Sequence, residues 1–236
     1  MDVDAAADEV IRELRVHSNS ERIAATLNYF PTSQENLGVA VPDLRKVARA
    51  HSKLVKGESA RDVLRFVLAI IARGTLEGRQ CAYEILAKHK PALAALKFAD
   101  LKRLAKGVDN WVSVDCLACD VSGAVWREGQ IRDADIATWS KSKDPWLRRL
   151  ALASTIPLNM KSRGGSGEVP RTIAVCERAV HDEHVMVHKA LSWALRTLIG
   201  VDSSAVWSFV EQYEEDLPAL VKREVRKKLA TGKKSG

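Results

Sequence analysis

The chain has 236 residues, 46% of them hydrophobic and 28% charged, and a formal net charge of +7 at pH 7. That content supports a buried core in one elongated domain or two small ones. The longest apolar run, around Val67-Leu68-Ala69-Ile70-Ile71-Ala72, falls well short of the ~18 residues of a membrane span, which argues against a membrane protein. The four cysteines, Cys81, Cys116, Cys119 and Cys176, sit among apolar residues and are too few to frame a disulfide scaffold in a chain this long.

The first fifteen residues are acidic, with Asp2, Asp4, Asp8, Glu9 and Glu13, and show no charged-then-apolar leader pattern, so a cytoplasmic location is expected. Helical periodicity dominates the remainder of the chain. Ser20 precedes Glu21 at one helix start, Pro42-Asp43 opens a run to about Leu54, and Ser59 opens the next, where Val63, Leu64, Val67, Leu68 and Ile71 keep a 3.6 period. Asp109-Asn110-Trp111, Asp144-Pro145-Trp146 and Asp182-Glu183-His184 each open a helix with an apolar stripe, spaced roughly 35 to 38 residues apart, in the range of helical-hairpin repeats. Asp216-Leu217-Pro218 marks the last start. No segment alternates with period two. About a dozen helices are expected, either stacked as hairpins into a superhelix with a concave surface or gathered as a globular bundle.

Several short motifs are weighed and set aside. Cys116-Leu117-Ala118-Cys119 lacks a second half-site for zinc and a strand-to-helix setting for redox work, so its thiols are read as core. Met160 to Gly167 is a basic, glycine-rich loop without the Gly-Lys-Ser/Thr ending of a P-loop. His184 and His188 stand i, i+4 but lack a distal ligand, so no metal site is assigned. Residues 231–236 are expected to be a disordered basic tail after a single domain over 1–230.

The chemistry-bearing segment is Asp109-Asn110-Trp111-Val112-Ser113-Val114-Asp115. Trp111 and Asp115 are four apart at a helix start, so ring and carboxylate share one face. Trp146 to Arg149 and Lys189 to Arg196 add further Trp and Arg. The C-terminal excess of base, Lys222, Arg223, Arg226, Lys227, Lys228, Lys233 and Lys234, is either a nucleic-acid footprint or a solvated basic face.

From about Arg12 to Lys228 the chain resembles the DNA alkylation repair glycosylases of the AlkD type, built from HEAT-like repeats. Four stretches carry the resemblance: Tyr29 to Val39 with Val41-Pro42-Asp43-Leu44-Arg45, Trp111 to Asp115, Trp146-Leu147-Arg148-Arg149, and Lys189 to Arg196 with Val206 to Val210 and Lys222-Arg223-Glu224. Where Val112 stands the family commonly carries a polar or acidic residue, and where Asn110 stands often an aromatic.

The resemblance implies an all-α superhelix of HEAT-like helical hairpin repeats with a concave DNA-binding cleft. It also implies monofunctional excision of cationic N3- or N7-alkylated purines from double-stranded DNA, with no cofactor, by a nucleoid-associated monomer. Asp115, Trp111 and Trp193 are then the catalytic candidates. A carboxylate near C1′ stabilises charge growing on the sugar, and indole faces attract cations. Tyr29, Arg45, Arg149, Arg196, Lys222, Arg223, Arg226 and Lys227 are the DNA-binding candidates. Tyr29, Trp111, Asp115, Arg149 and Trp193 are expected on one electropositive face. Tryptophan on a helical stripe is usually core, and Trp126, Trp139 and Trp207 are read so, with Trp146 as packing at a hairpin junction. The competing function is a non-catalytic HEAT-like repeat protein that binds DNA structures or a protein partner.

Overall fold

The computed structural model describes residues 1–27 and 29–232. The fold is all-α. Among the described residues there is no strand, only an isolated parallel bridge between Glu35 and Thr75. No helix among them is long and apolar enough to cross a membrane. The chain divides into two compact units, Met1–Val121 and Ser122–Gly236.

The first unit runs α1 (Val3–Val16), α2 (Ser20–Leu27), α3 (Val41–Leu54), α4 (Ala60–Ala72), α5 (Leu76–Lys88), α6 (Lys90–Ala95), α7 (Phe98–Ala105) and α8 (Trp111–Leu117). Side-chain caps set several starts. Asp2 accepts from Asp4 and Ala5 N–H, Ser59 from Asp62 and Thr75 from Gly78, each satisfying donors the helix cannot bond itself. Pro42 sits in the first turn of α3, where its missing N–H costs nothing. Helix α1 packs on α3, α4 and α5, while α5 also packs on α3, α4 and α8. The shared core holds Leu14, Val47, Phe66, Ile70, Ile85 and Leu86. Contact with the second-next helix as well as the next is the neighbour pattern of stacked helical hairpins.

The second unit runs α9 (Gly123–Arg127), α10 (Asp133–Ser140), α11 (Pro145–Ala153), α12 (Ile156–Asn159), α13 (Val169–Glu177), α14 (Val185–Leu198), α15 (Ser203–Gln212) and α16 (Ala219–Thr231). Helix α14 is its spine, packing on α11, α12, α13, α15 and α16. Buried Ala190, Leu191, Ala194, Leu195 and Leu198 form its inner stripe. Gly123 lets α9 approach α12. A Cβ there would stand 2.4 Å from the Pro157 ring and 2.6 Å from the Ser154 carbonyl.

The structure refines the expected starts. Asn110, not Asp109, caps α8, and His184, not Asp182, caps α14 through Nδ1. Helix α16 reaches Thr231, inside the expected tail, and is closed by Gly232 at φ 66°. Residues 233–236 lie outside the described residues. Trp126 and Trp139 are buried as read, but Trp207 is 48% exposed and not core. It lies in a surface groove of about 470 Å³ with Ser203, Ser204, Ser208 and Arg226, because the buried stripe of α15 runs through Val206, Phe209 and Val210 instead.

Candidate active site

Helix α8 carries the Trp111 and Asp115 pair. The Asn110 side chain accepts the Ser113 N–H at 2.8 Å and fixes the helix start. Ser113, Val114 and Leu117 turn into the core, which leaves Trp111, Val112 and Asp115 half-buried on the opposite side. The i, i+4 spacing thus places an indole and a carboxylate on one partly open face. The next residues, Ala118–Ser122, form a π-helical turn, a rare insertion that recurs at functional sites.

The loop between α2 and α3 forms the wall of this site. Tyr29 and Phe30 each meet the Trp111 indole edge to face, both with ring centroids 5.7 Å away, at interplanar angles of 87° and 78°. Tyr29 and Phe30 contact each other at 6.1 Å. Tyr29 is 67% exposed and Phe30 is buried, so Phe30 anchors the corner and Tyr29 forms its open edge. Phe30 is not among the candidates named from the sequence. Its sequence signal is its place in the Tyr29 to Val39 stretch.

Side chains remote in sequence hold the loop, Asp109, Arg79 and Glu77 among them. Asp109 accepts from Thr32 Oγ1 at 2.7 Å, Ser33 N–H at 2.5 Å, Gln34 Nε2 at 3.1 Å and Asn110 Nδ2 at 2.9 Å. Burial raises its pKa, but the bonds from Thr32, Ser33 and Asn110 lower it more, so the carboxyl is held well below the usual carboxylate range. Buried Arg79 donates to Gln34 Oε1 at 3.0 Å and to the Leu104 and Lys106 carbonyls. Buried Glu77 accepts the Leu37 and Val39 N–H groups at 2.9 and 3.1 Å. Between those two lies Gly38 at φ 68°, where a Cβ would stand 2.3 Å from the Asn19 carbonyl.

Cys116 lies beside Asp115, and its thiol is held in the protonated form. Burial pushes its thiol pKa up, and the Asp120 and Asp115 carboxylates push it further. Cys81, Cys119 and Cys176 are buried, which fits their reading as core thiols. Arg45 is exposed on α3 and pairs with Glu84 at 3.3 Å.

In the second unit, Trp193 is half-buried on α14 and Trp146 packs edge-on to His184 at 6.1 Å. Arg148, which is not among the sequence candidates, makes a two-pronged bond to Asp182, at 2.5 and 3.1 Å, and donates to the Ser142 and Lys143 carbonyls. Its neighbour Arg149 is only 5% exposed and donates to the Met186 carbonyl at 2.6 Å. A guanidinium so placed links α11 to α14. Arg196 is similarly engaged. It donates to Ser192 Oγ at 3.0 Å and pairs with Glu224 at 3.4 Å. On α16, Lys222 donates to the Glu214 carbonyl at 2.8 Å and Arg226 pairs with the Glu214 carboxylate, whereas Arg223 and Lys227 are exposed. Three histidines of this unit have structural partners: His184 caps α14, His188 bonds the Asp182 carbonyl, and His181 lies 3.7 Å from Asp216.

The first unit therefore brings Tyr29, Trp111 and Asp115 to one place. Arg149, Trp193, Arg196 and the α16 bases belong to the second. An aromatic corner beside a carboxylate suits a cationic, flat ligand. A family model described as DNA alkylation repair enzyme matches residues 10–229, and the chain belongs to that family. It is thus an enzyme of alkylated-DNA repair, with DNA as its partner. No curated protein matches the chain closely.

Proposed function

We propose that the protein is a monofunctional DNA glycosylase that hydrolyses the N-glycosidic bond of cationic N3- or N7-alkylated purines in double-stranded DNA. The observation that carries this reading is the shared, half-open face of α8, with the Trp111 indole in the Tyr29–Phe30 corner and the Asp115 carboxylate one turn on.

The chemistry asks little of the protein at the base. An alkylated purine leaves with the electron pair of the C1′–N bond and becomes neutral, so no acid need protonate it. The demand falls on the sugar, where positive charge grows. Asp115 stabilises that charge and takes the proton of the water whose oxygen bonds to C1′. Trp111 favours positive charge near its π face, an attraction of ~0.5–2 kcal/mol. Because both effects grow as the bond breaks, they lower the barrier and not merely the binding energy. Trp193 is proposed as a further aromatic contributor on the strength of the Lys189 to Arg196 motif alone. The exposed Arg223 and Lys227 are the first choices for phosphate contacts.

The test is incubation of the enzyme in excess with methylated duplex and chromatography of the released bases. The expected result is free 7-methylguanine or 3-methyladenine and an abasic strand that stays intact until treated with alkali. Borohydride should trap no covalent adduct, because no lysine amine takes part. Binding of the duplex without release of any base would overturn the glycosylase reading in favour of a non-catalytic DNA binder.

A further inference from the structure

We infer that Asp109 is a positioning residue for Trp111, acting through the Thr32–Gln34 loop, and that an Asp109–Gln34–Arg79 network sets the indole before DNA arrives. The inference rests on the glycosylase reading for its effect on rate, but not for its effect on the ring.

The geometry carries it. Asp109 is next to the residue that caps α8, and its carboxylate gathers four donors, three of them from the loop that begins with Tyr29 and Phe30. Asn110 uses one end of its amide to cap α8 and the other to donate to Asp109 and to Thr32 Oγ1, at 2.9 and 3.2 Å. The start of the catalytic helix and the wall against its tryptophan are therefore one hydrogen-bonded unit. Gln34 continues the network inward, donating to Asp109 and accepting from buried Arg79. Arg79 is fixed in turn by the Leu104 and Lys106 carbonyls and Tyr83 Oη. A stretch without helix or strand is costly to hold in one shape, and this one is held by Asp109 at Thr32, Ser33 and Gln34 and by Glu77 at Leu37 and Val39.

The donor count makes the residue type specific. All four partners of Asp109 donate, and an ionised carboxylate only accepts. In Asp109→Asn one oxygen becomes an NH2 group that must face a donor, so at least one partner loses its bond. The loop then loosens at Thr32 or Ser33, and Tyr29 and Phe30 lose their fixed seat at the indole. A small misplacement of a group at the reacting centre suffices to slow chemistry strongly.

The experiment uses full-length protein labelled with 5-fluorotryptophan, whose six resonances are assigned by single Trp→Phe replacement. Two variants are compared with wild type, Asp109→Asn and the milder Thr32→Val. Fluorine spectra, affinity for undamaged duplex and single-turnover release of 7-methylguanine are read for each. The expected result for Asp109→Asn is a shifted, broadened Trp111 resonance, an unmoved Trp193 resonance, duplex affinity within about twofold and release slowed about tenfold. Thr32→Val should show the same pattern at roughly threefold. If Asp109→Asn does not fold, Thr32→Val carries the test alone. An unchanged Trp111 resonance overturns the inference, and so does a moved resonance with release at the wild-type rate. Should wild type release no base, the glycosylase reading fails and the Trp111 resonance alone decides whether Asp109 sets the ring.

Discussion

Tyr29 and Trp111 meet with ring planes at 87° and centroids 5.7 Å apart, although α3 to α7 separate them in the chain. Edge-to-face aromatic pairs contribute about 1 kcal/mol beyond the area they bury. Tyr29→Ala should therefore slow base release roughly fivefold, while Tyr29→Phe, which keeps the ring, should release at close to the wild-type rate. Single-turnover release from methylated duplex checks both.

Asp115→Asn should reduce base release far more than DNA binding. The substitution keeps size and most hydrogen bonding but removes the charge that stabilises the sugar cation. A loss on the order of a hundredfold in single-turnover rate is expected, the usual size of one preorganised electrostatic contact. Trp111→Ala should cost about tenfold, in line with a cation–π contact of ~1–2 kcal/mol. A folded Asp115→Asn that releases base at the wild-type rate would remove Asp115 from the mechanism.

Asp109 should make stability depend on pH at the acid end. Its pKa is depressed below the ordinary 3.8 in the folded protein. A depressed carboxylate stabilises the fold fully above its unfolded pKa, and that stabilisation is lost as pH falls through the folded value. The melting-temperature gap between wild type and Asp109→Asn should accordingly be largest near neutrality and shrink below about pH 4. A gap that stays constant down to pH 3 would contradict the hydrogen bonds found at this carboxylate.

Binding to undamaged duplex should weaken steeply with salt, with a slope near −0.9 per phosphate neutralised. Arg223→Ala and Lys227→Ala should each lower that slope by about one, because both side chains are exposed on α16. Arg149→Ala should lower stability instead, since its guanidinium is buried on the Met186 carbonyl. Fluorescence anisotropy across a salt series, paired with melting curves, separates the two outcomes.

Arg148→Ala should destabilise the second unit by about 3 kcal/mol, the usual cost of leaving a buried charge without its partner. The Asp182 side chain is only 6% exposed and loses both prongs of its bond to Arg148, keeping the one from the His184 N–H. Arg148→Lys should recover little, since one ammonium cannot reproduce the two-pronged bond and the two carbonyl contacts. Thermal or urea denaturation measures both.

The amino-acid sequence by itself determined the helices and the pairing of Trp111 with Asp115. These depend on local rules. A 3.6-residue period, an Asp or Ser before a helix and an i, i+4 spacing act within a few turns of chain, so Ser59, Asp144 and the face of α8 could be read without a partner in view. Tertiary structure alone decided which polar groups are spoken for. Arg148 and Arg149 are adjacent residues of one motif, yet one grips Asp182 and the other a backbone carbonyl, because the start of α14 and the turn before it offer those acceptors. Trp207 escaped the core because its helix turned other residues inward. The Asp109 clamp and the Phe30 anchor were equally invisible, since each depends on a loop and a helix brought together from distant parts of the first unit. A hydrogen bond or a ring contact depends on position in space, and only folding supplies that position to residues so distant along the chain.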